Sequence, residues 1–208
     1  MKMYLSSYRL GNKPSKLIEL VGTNKRTAVI PNALDIPIDI AERNEGIQRE
    51  VDDLNKLGFQ AEVVDLKIYF YKSSELGKKL AEFGMIWVRG GNVFVLRRAF
   101  KESGMDQWLK GQQENKEFVY AGYSAGVCIL SPSLKGCDLV DNSNIVTQGY
   151  PKKTIWDGLG LIDFAVAPHY KSDHPESEAV NKQVEYFIKN GIKYKTLHDG
   201  EVIIINNV

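Results

Sequence analysis

Residues 122–126 read Gly-Tyr-Ser-Ala-Gly, inside the longer run "EFVYAGYSAGVCIL". The apolar residues on either side predict a strand before the serine and a helix after it. At such a junction a serine hydroxyl is carried into the open on a very tight turn, the arrangement of an activated nucleophile. A turn that tight strains the backbone and leaves no room for neighbouring side chains. Gly122 and Gly126 supply that clearance, and Ala125 keeps its own side chain small. The helix behind Ser124 offers unpaired N–H groups and the positive end of its dipole, so the Ala125 N–H suits a developing oxyanion. The same residues also fit a plain helix start, because serine is a favoured N-cap and glycine a common turn residue. The predicted strand and helix bring the nucleophile reading level with the helix-cap reading, and these residues alone do not separate the two.

A nucleophilic serine needs a base, usually histidine, and an acid to orient it. The chain has three histidines. His169 follows the predicted strand "DFAVAP" and is the preferred base. His174 sits in the polar loop "KSDHPES", where a solvated or capping role is expected. His198 lies in the strand-like "KTLHDG" and is expected to be packed. For the acid, Asp199 lies on a turn after a strand, and Asp138 and Asp141 fall between Ser124 and His169. Spacing does not separate the three. A second oxyanion donor is expected from "VRGGNVF", where Gly91 lets the backbone approach a bound group and Asn92 can cap the next helix. An ordinary glycine-rich strand-to-helix turn explains that loop equally well. It is not G-x-G-x-x-G, so it gives little support to a dinucleotide site. Tyr123 and Tyr170 flank candidate positions and either line a pocket or pack. Cys128, one helical turn beyond Ser124, reads as a small buried residue.

These residues need a scaffold. Short apolar runs alternate with longer amphipathic ones along the chain. Strands are expected at "MYLSS", "RTAVIPNA", "AEVVDL", "GMIWVRGGN" (running into its double glycine), "EFVYAGY" and "DFAVAPHY" (stopped by Pro168). Helices are expected at "SKLIELVG" (ended by Gly22), "IDIAERNEGIQREVDDLNKLGF", "SSELGKKLAEF", "VFVLRRAFKESG", "MDQWLKGQQEN" and "ESEAVNKQVEYFIKNG". "YKTLHDG" and "EVIIINNV" read as a closing pair of strands about a turn at Asp199-Gly200. Alternating strands and helices argue for a mostly parallel sheet covered by helices. Ligands in such sheets bind beyond the carboxyl ends of the strands. Asn32, Gly90-Gly91-Asn92, Ser124, His169 and Asp199 all follow predicted strands.

A chain of 208 residues with 43% hydrophobic and 25% charged residues suits one α/β domain over residues 1–208. A net charge of +1 gives no footprint for nucleic acid or an anionic membrane. No apolar run is long enough to span a bilayer, and the start of the chain does not read as a signal peptide. Two cysteines, Cys128 and Cys137, form no disulfide framework, and with the histidines they show no zinc-finger spacing. The reading is a cytoplasmic protein without metal or cofactor, monomeric or homodimeric.

Three stretches, "VRGGNVFVL", "YAGYSAGVCILSPS" and "WDGLGLIDFAVAPHY", together with "YLSSYRLG" and "LHDG", make the sequence resemble peptidase family S51, the dipeptidase E (aspartyl dipeptidase) group of serine peptidases. The resemblance runs over nearly the whole chain. It implies a three-layer α/β/α fold of the class I glutamine amidotransferase-like (flavodoxin-like) type, and a small peptide as substrate. It implies Ser124 as nucleophile, His169 as base, and Gly91 and Ala125 as oxyanion donors. The family's acid is a glutamate in a Leu-Pro-Glu-Gly turn, matched here by Leu197-His198-Asp199-Gly200. Asp199 is therefore the first choice. The family has also been given an aspartate between serine and histidine, which makes Asp138 the second. One departure concerns specificity. The aspartyl dipeptidase arginine that grips an acidic side chain has no counterpart in "SDHPESEAVNKQVEY", where Lys182 is the only cation and lacks the bidentate fork. Two other readings stand beside a small-peptide hydrolase: a non-catalytic peptide or small-molecule sensor of the same fold, and an esterase or amidase on non-peptide substrates.

Overall fold

The computed structural model describes residues 1–206; the last two residues of the expected final strand, Asn207 and Val208, lie outside the described residues. Its strands are β1 (Lys2–Ser6), β2 (Arg26–Ile30), β3 (Gln60–Val63), β4 (Met85–Val88), β5 (Val119–Tyr123), β6 (Ala165–Ala167), β7 (Tyr194–Thr196) and β8 (Val202–Ile205). The helices are α1 (Pro14–Leu20), α2 (Ile40–Lys56), α3 (Ser73–Leu80), α4 (Val93–Ser103), α5 (Met105–Gly111), α6 (Ala125–Cys128) and α7 (Ser177–Lys189). Six strands form one sheet in the order β3-β2-β4-β5-β1-β8. All its pairings are parallel except that of β8 with β1.

Strands apolar on consecutive residues must be covered on both faces, and the core divides accordingly. From β4, Met85 and Trp87 pack on one side with Leu17 and Leu20 of α1 and Leu54 of α2. Ile86 and Val88 pack on the other with Leu76 and Leu80 of α3, Phe94 and Leu96 of α4, and Val127 of α6. Helices thus cover both faces, giving the α/β/α layering. Asp39 starts α2, its carboxylate accepting the N–H groups of Ala41 and Glu42. Asn92 does the same for α4 through Phe94 and Val95. Among the described residues no helix is long and apolar enough to cross a membrane.

Two expectations are corrected. The closing strands are not a pair. β7 pairs in parallel with β6 in a small second sheet, and β8 lies antiparallel against β1 in the large one. Ile203 and Ile205 of β8 pack against one core and Val202 and Ile204 against the other, so β8 needs cover on two faces. A hairpin with β7, whose middle residue Lys195 is exposed, cannot supply it. The turn at Asp199-Gly200 therefore bridges the two sheets. Second, the helix after Ser124 is a single turn, Ala125–Cys128. Any help it gives an anion comes from local N–H groups, because one turn builds almost no macrodipole.

Candidate active site

The carboxyl ends of β1, β4, β5 and β6 converge with the turn after β7. Ser124 follows β5 with φ 50° and ψ −118°, a backbone conformation that L-residues rarely hold, and its side chain makes no capping hydrogen bond. The N-cap alternative is therefore set aside. Strain of this kind costs about 1–3 kcal/mol and persists only where packing enforces it. The enforcement is visible at the flanking glycines. A Cβ on Gly122 would stand 2.6 Å from the carbonyl oxygen of Val88, and one on Gly126 only 2.3 Å from the same atom. The loop after β4 closes on the serine equally tightly, for a Cβ on Gly90 would lie 2.9 Å from Ser124 Cβ. Gly91 follows with φ +139°, and a Cβ there would stand 2.5 Å from the carbonyl oxygen of Ala33. No backbone acceptor engages the N–H of Gly91 or Ala125 among the described residues.

His169 follows Pro168 at the end of β6, with φ 60° and only 2% exposure. Its Nδ1 lies 2.7 Å from Asp199 Oδ1. Ser7, just past β1, ties the pair together. Its Oγ accepts the His169 backbone N–H at 2.8 Å and donates to Asp199 Oδ1 at 2.8 Å. The Asp199 N–H in turn donates to Ser172 Oγ. The His174 ring stacks on His169 at 3.7 Å and 10°, and Tyr8 meets both rings edge-on. Burial, reinforced by His174, pushes the His169 pKa down, while Asp199 pulls it up; the net shift is downward. The other ring nitrogen, Nε2, is 4.0 Å from Glu176 Oε2. Glu176 lines a cavity of about 20 Å³ together with Ser124, Ala125, Asp141 and Pro168. The His169 ring is thus next to Glu176 and Pro168, which line the Ser124 cavity, with no hydrogen bond between serine and histidine among the described residues.

The remaining candidates are elsewhere. Asp138 is exposed and accepts the Gly136 N–H, in a different hollow shared with Trp156 and Tyr186. Asp141 accepts the Val93 N–H at 2.8 Å and lines the Ser124 cavity. Asn92 is spent on capping α4 and donates to the Asn142 carbonyl. Tyr123 points into the opposite core, donating to Glu50 at 2.8 Å, so it packs rather than lining the cavity. Tyr170 is half-buried against the His198 ring, and His198 is exposed rather than packed. Cys128 is buried, and Cys137 hydrogen-bonds with it and holds its thiol well above the usual range. Ser7, Tyr8 and Glu176 were not singled out from the sequence.

His169, His174 and Glu176 offer three donor atoms within 4.8 Å of one another. The set does not suit an ion. Stacked parallel rings do not aim both lone pairs at one point, and His174 Nδ1 already accepts the Glu176 N–H at 3.2 Å.

The fold is a three-layer α/β/α scaffold with the candidate site at the strand ends. The model of peptidase family S51 matches residues 8–208. The chain belongs to that family and is a peptidase, a hydrolase. An uncharacterized peptidase of Pasteurella multocida is 29% identical over 172 residues, covering 82% of this chain and 80% of the relative. A Drosophila melanogaster protein named a probable alpha-aspartyl dipeptidase is 24% identical over 180 residues, covering 84% of this chain and 69% of the relative. The crystal structure of a peptidase E candidate from Listeria monocytogenes superposes with a TM-score of 0.74, covering 100% of this chain and 98% of the other at 24% identity. That likeness concerns the fold.

Proposed function

We propose that the protein is a serine-type dipeptidase, cleaving dipeptides and similarly small peptides through Ser124, His169 and Asp199 and an acyl-enzyme. The observation that carries this is the 2.7 Å bond from His169 Nδ1 to Asp199, on a ring whose Nε2 is 4.0 Å from Glu176, a residue that lines the cavity of a strained Ser124. Asp199 accepts Nδ1–H, which leaves Nε2 free to take the Ser124 proton as Oγ attacks the peptide carbonyl. The protonated imidazole then gives that proton to the leaving amine, and water repeats the sequence on the acyl-enzyme. The unpaired N–H groups of Gly91 and Ala125 receive the oxyanion. Ser7 is a positioning residue that holds the base and its acid in register.

A dipeptide library with free and blocked termini, scored for released amino acid with the Ser124→Ala protein as control, tests the reading. Absence of turnover on every dipeptide by folded wild-type protein overturns it. The pH dependence has a definite sign. Catalysis needs neutral His169, and its lowered pKa keeps it neutral further into acid than an ordinary imidazole. The acid limb of kcat should therefore fall below about 6.5, the unperturbed value. A kcat limb above that value counts against His169 as the base.

A further inference from the structure

The peptide unit joining Gly90 to Gly91 carries one of the N–H groups assigned to the oxyanion. Glycine on both sides gives the close approach to Ser124, and it also leaves this unit the freest to rotate. Backbone bonds secure only its neighbours. The Arg89 N–H donates to the Ile30 carbonyl at 3.1 Å, and the Asn92 N–H to the Ala33 carbonyl at 2.9 Å. Among the described residues, the one hydrogen bond on the unit itself comes from a side chain: Arg89 Nη1 donates to the Gly90 carbonyl at 2.8 Å. In a trans peptide the carbonyl and the following N–H point in opposite directions. A guanidinium that holds the Gly90 carbonyl therefore also sets where the Gly91 N–H points.

The guanidinium is itself held. Its Nε lies 3.5 Å from Glu50 Oε1, with the arginine side chain only 12% exposed. Gly46 of α2 leaves it room, since a Cβ there would stand 3.0 Å from Arg89 Nη2. Glu50, also on α2, is 2% exposed and is fixed from two strands. Its Oε2 accepts the Trp87 Nε1–H of β4 at 3.0 Å, and its Oε1 accepts the Tyr123 hydroxyl of β5 at 2.8 Å. Tyr123 directly precedes Ser124, so one carboxylate ties the nucleophile's strand to the glycine loop. Stability is a poor account of this buried charge, because desolvating an ion pair costs about what the attraction returns. Nor is the pairing close. Arg89 Nε is buried and has no hydrogen-bond partner among the described residues. An arginine placed for the ion pair would turn its two-pronged fork to the carboxylate. This one is drawn to the Gly90 carbonyl instead.

We infer that Arg89, anchored by Glu50, is a positioning residue of the oxyanion hole. It locks the Gly90–Gly91 peptide with its carbonyl toward the guanidinium on the α2 side. The Gly91 N–H is then directed away from α2, to the side where Val93 and Ala125 line the Ser124 cavity. The inference rests on the proposed reading of Ser124 as nucleophile and of the Gly91 N–H as oxyanion donor.

The test uses Arg89→Met and Glu50→Gln, each checked by thermal melting and normalised by fluorophosphonate titration of Ser124. Losing one oxyanion donor costs about 100- to 1,000-fold, so Arg89→Met should lower kcat by about 100-fold with KM within about two-fold. Glu50→Gln keeps the shape but removes the anchor's charge. It should lose about 10-fold with the same split, and it decides the matter if Arg89→Met does not fold. A dipeptide boronic acid, which forms a tetrahedral adduct on the serine, should bind Arg89→Met about 100-fold more weakly than wild type. Calorimetry with the uncleaved dipeptide should give the same affinity, within about two-fold, for Ser124→Ala with and without Arg89→Met. A merely structural role would lower the melting temperature without separating these two ligands. Unchanged kcat in folded variants overturns the inference, as does equal weakening of boronate and dipeptide. If wild-type protein is labelled and turns over while the variants keep its kcat, only this inference fails. If wild-type protein shows neither labelling nor turnover, the proposed function fails with it.

Discussion

Ser124→Ala is expected to fold as the wild type does and to lose at least about 1,000-fold of kcat on dipeptides. The two halves of that statement have separate causes. Folding survives because the hydroxyl caps nothing, and the local bonds from Val127 and Cys128 go to the Ser124 backbone carbonyl, which alanine retains. Activity goes because no other nucleophile is poised at that place, the nearest thiol, Cys128, being buried and held protonated. Residual turnover above water is expected, since the Gly91 and Ala125 N–H groups remain. Ser124→Gly sharpens the interpretation. Glycine holds a φ of 50° without penalty, so this variant should be as inactive yet more stable by about 1 kcal/mol. Urea unfolding measures the second effect, and burst kinetics together with fluorophosphonate labelling measure the first. Wild-type rates in the alanine variant would remove Ser124 from the mechanism.

Asp199→Asn is expected to cost about 1,000- to 10,000-fold in kcat, with the fold intact. The amide keeps the shape of the carboxylate but loses its charge. It no longer stabilises the imidazolium that forms during attack, and it can present an N–H where Nδ1–H must donate. The acid limb of kcat should also move lower, because Asp199 is the group that pulls the His169 pKa up. Asp138→Asn should leave kcat within about two-fold, as exposed polar substitutions away from such features change little. A reversed outcome, with Asp138 essential and Asp199 dispensable, would reassign the acid.

The strand-end candidates were legible because each combines a restricted residue type with a recognisable local setting. Gly122 and Gly126 flank a serine, a glycine pair follows "IWV", and His169 follows a proline after an apolar run. Asn92 as the cap of α4 followed from the same local logic. What stayed hidden was non-local. Ser7 is the second of two adjacent serines where β1 ends, and its contact with Asp199 spans 192 positions. Glu176 looks like any solvated acid before a helix, and only the fold sets it beside His169. The partners of β7 and β8 were misjudged for a related reason. A short turn between two apolar runs suggests a hairpin, but two-faced burial of β8 against β1 outweighs proximity in sequence. Tyr123 failed as a pocket residue because alternate residues of β5 face opposite layers, and Glu50 receives its hydroxyl in the far one.

The Ser7 clamp also bears on timing during synthesis and refolding. Contacts between residues so distant in sequence form late, after the entropy of closing long loops has been overcome. The strained turn at Ser124 needs only β4, β5 and their glycines, whereas orienting His169 requires β1, β6 and the turn after β7 to have met. On the proposed mechanism a half-assembled chain would carry its nucleophile without a working base, and it would stay chemically silent among other nascent peptides until its tertiary structure is complete.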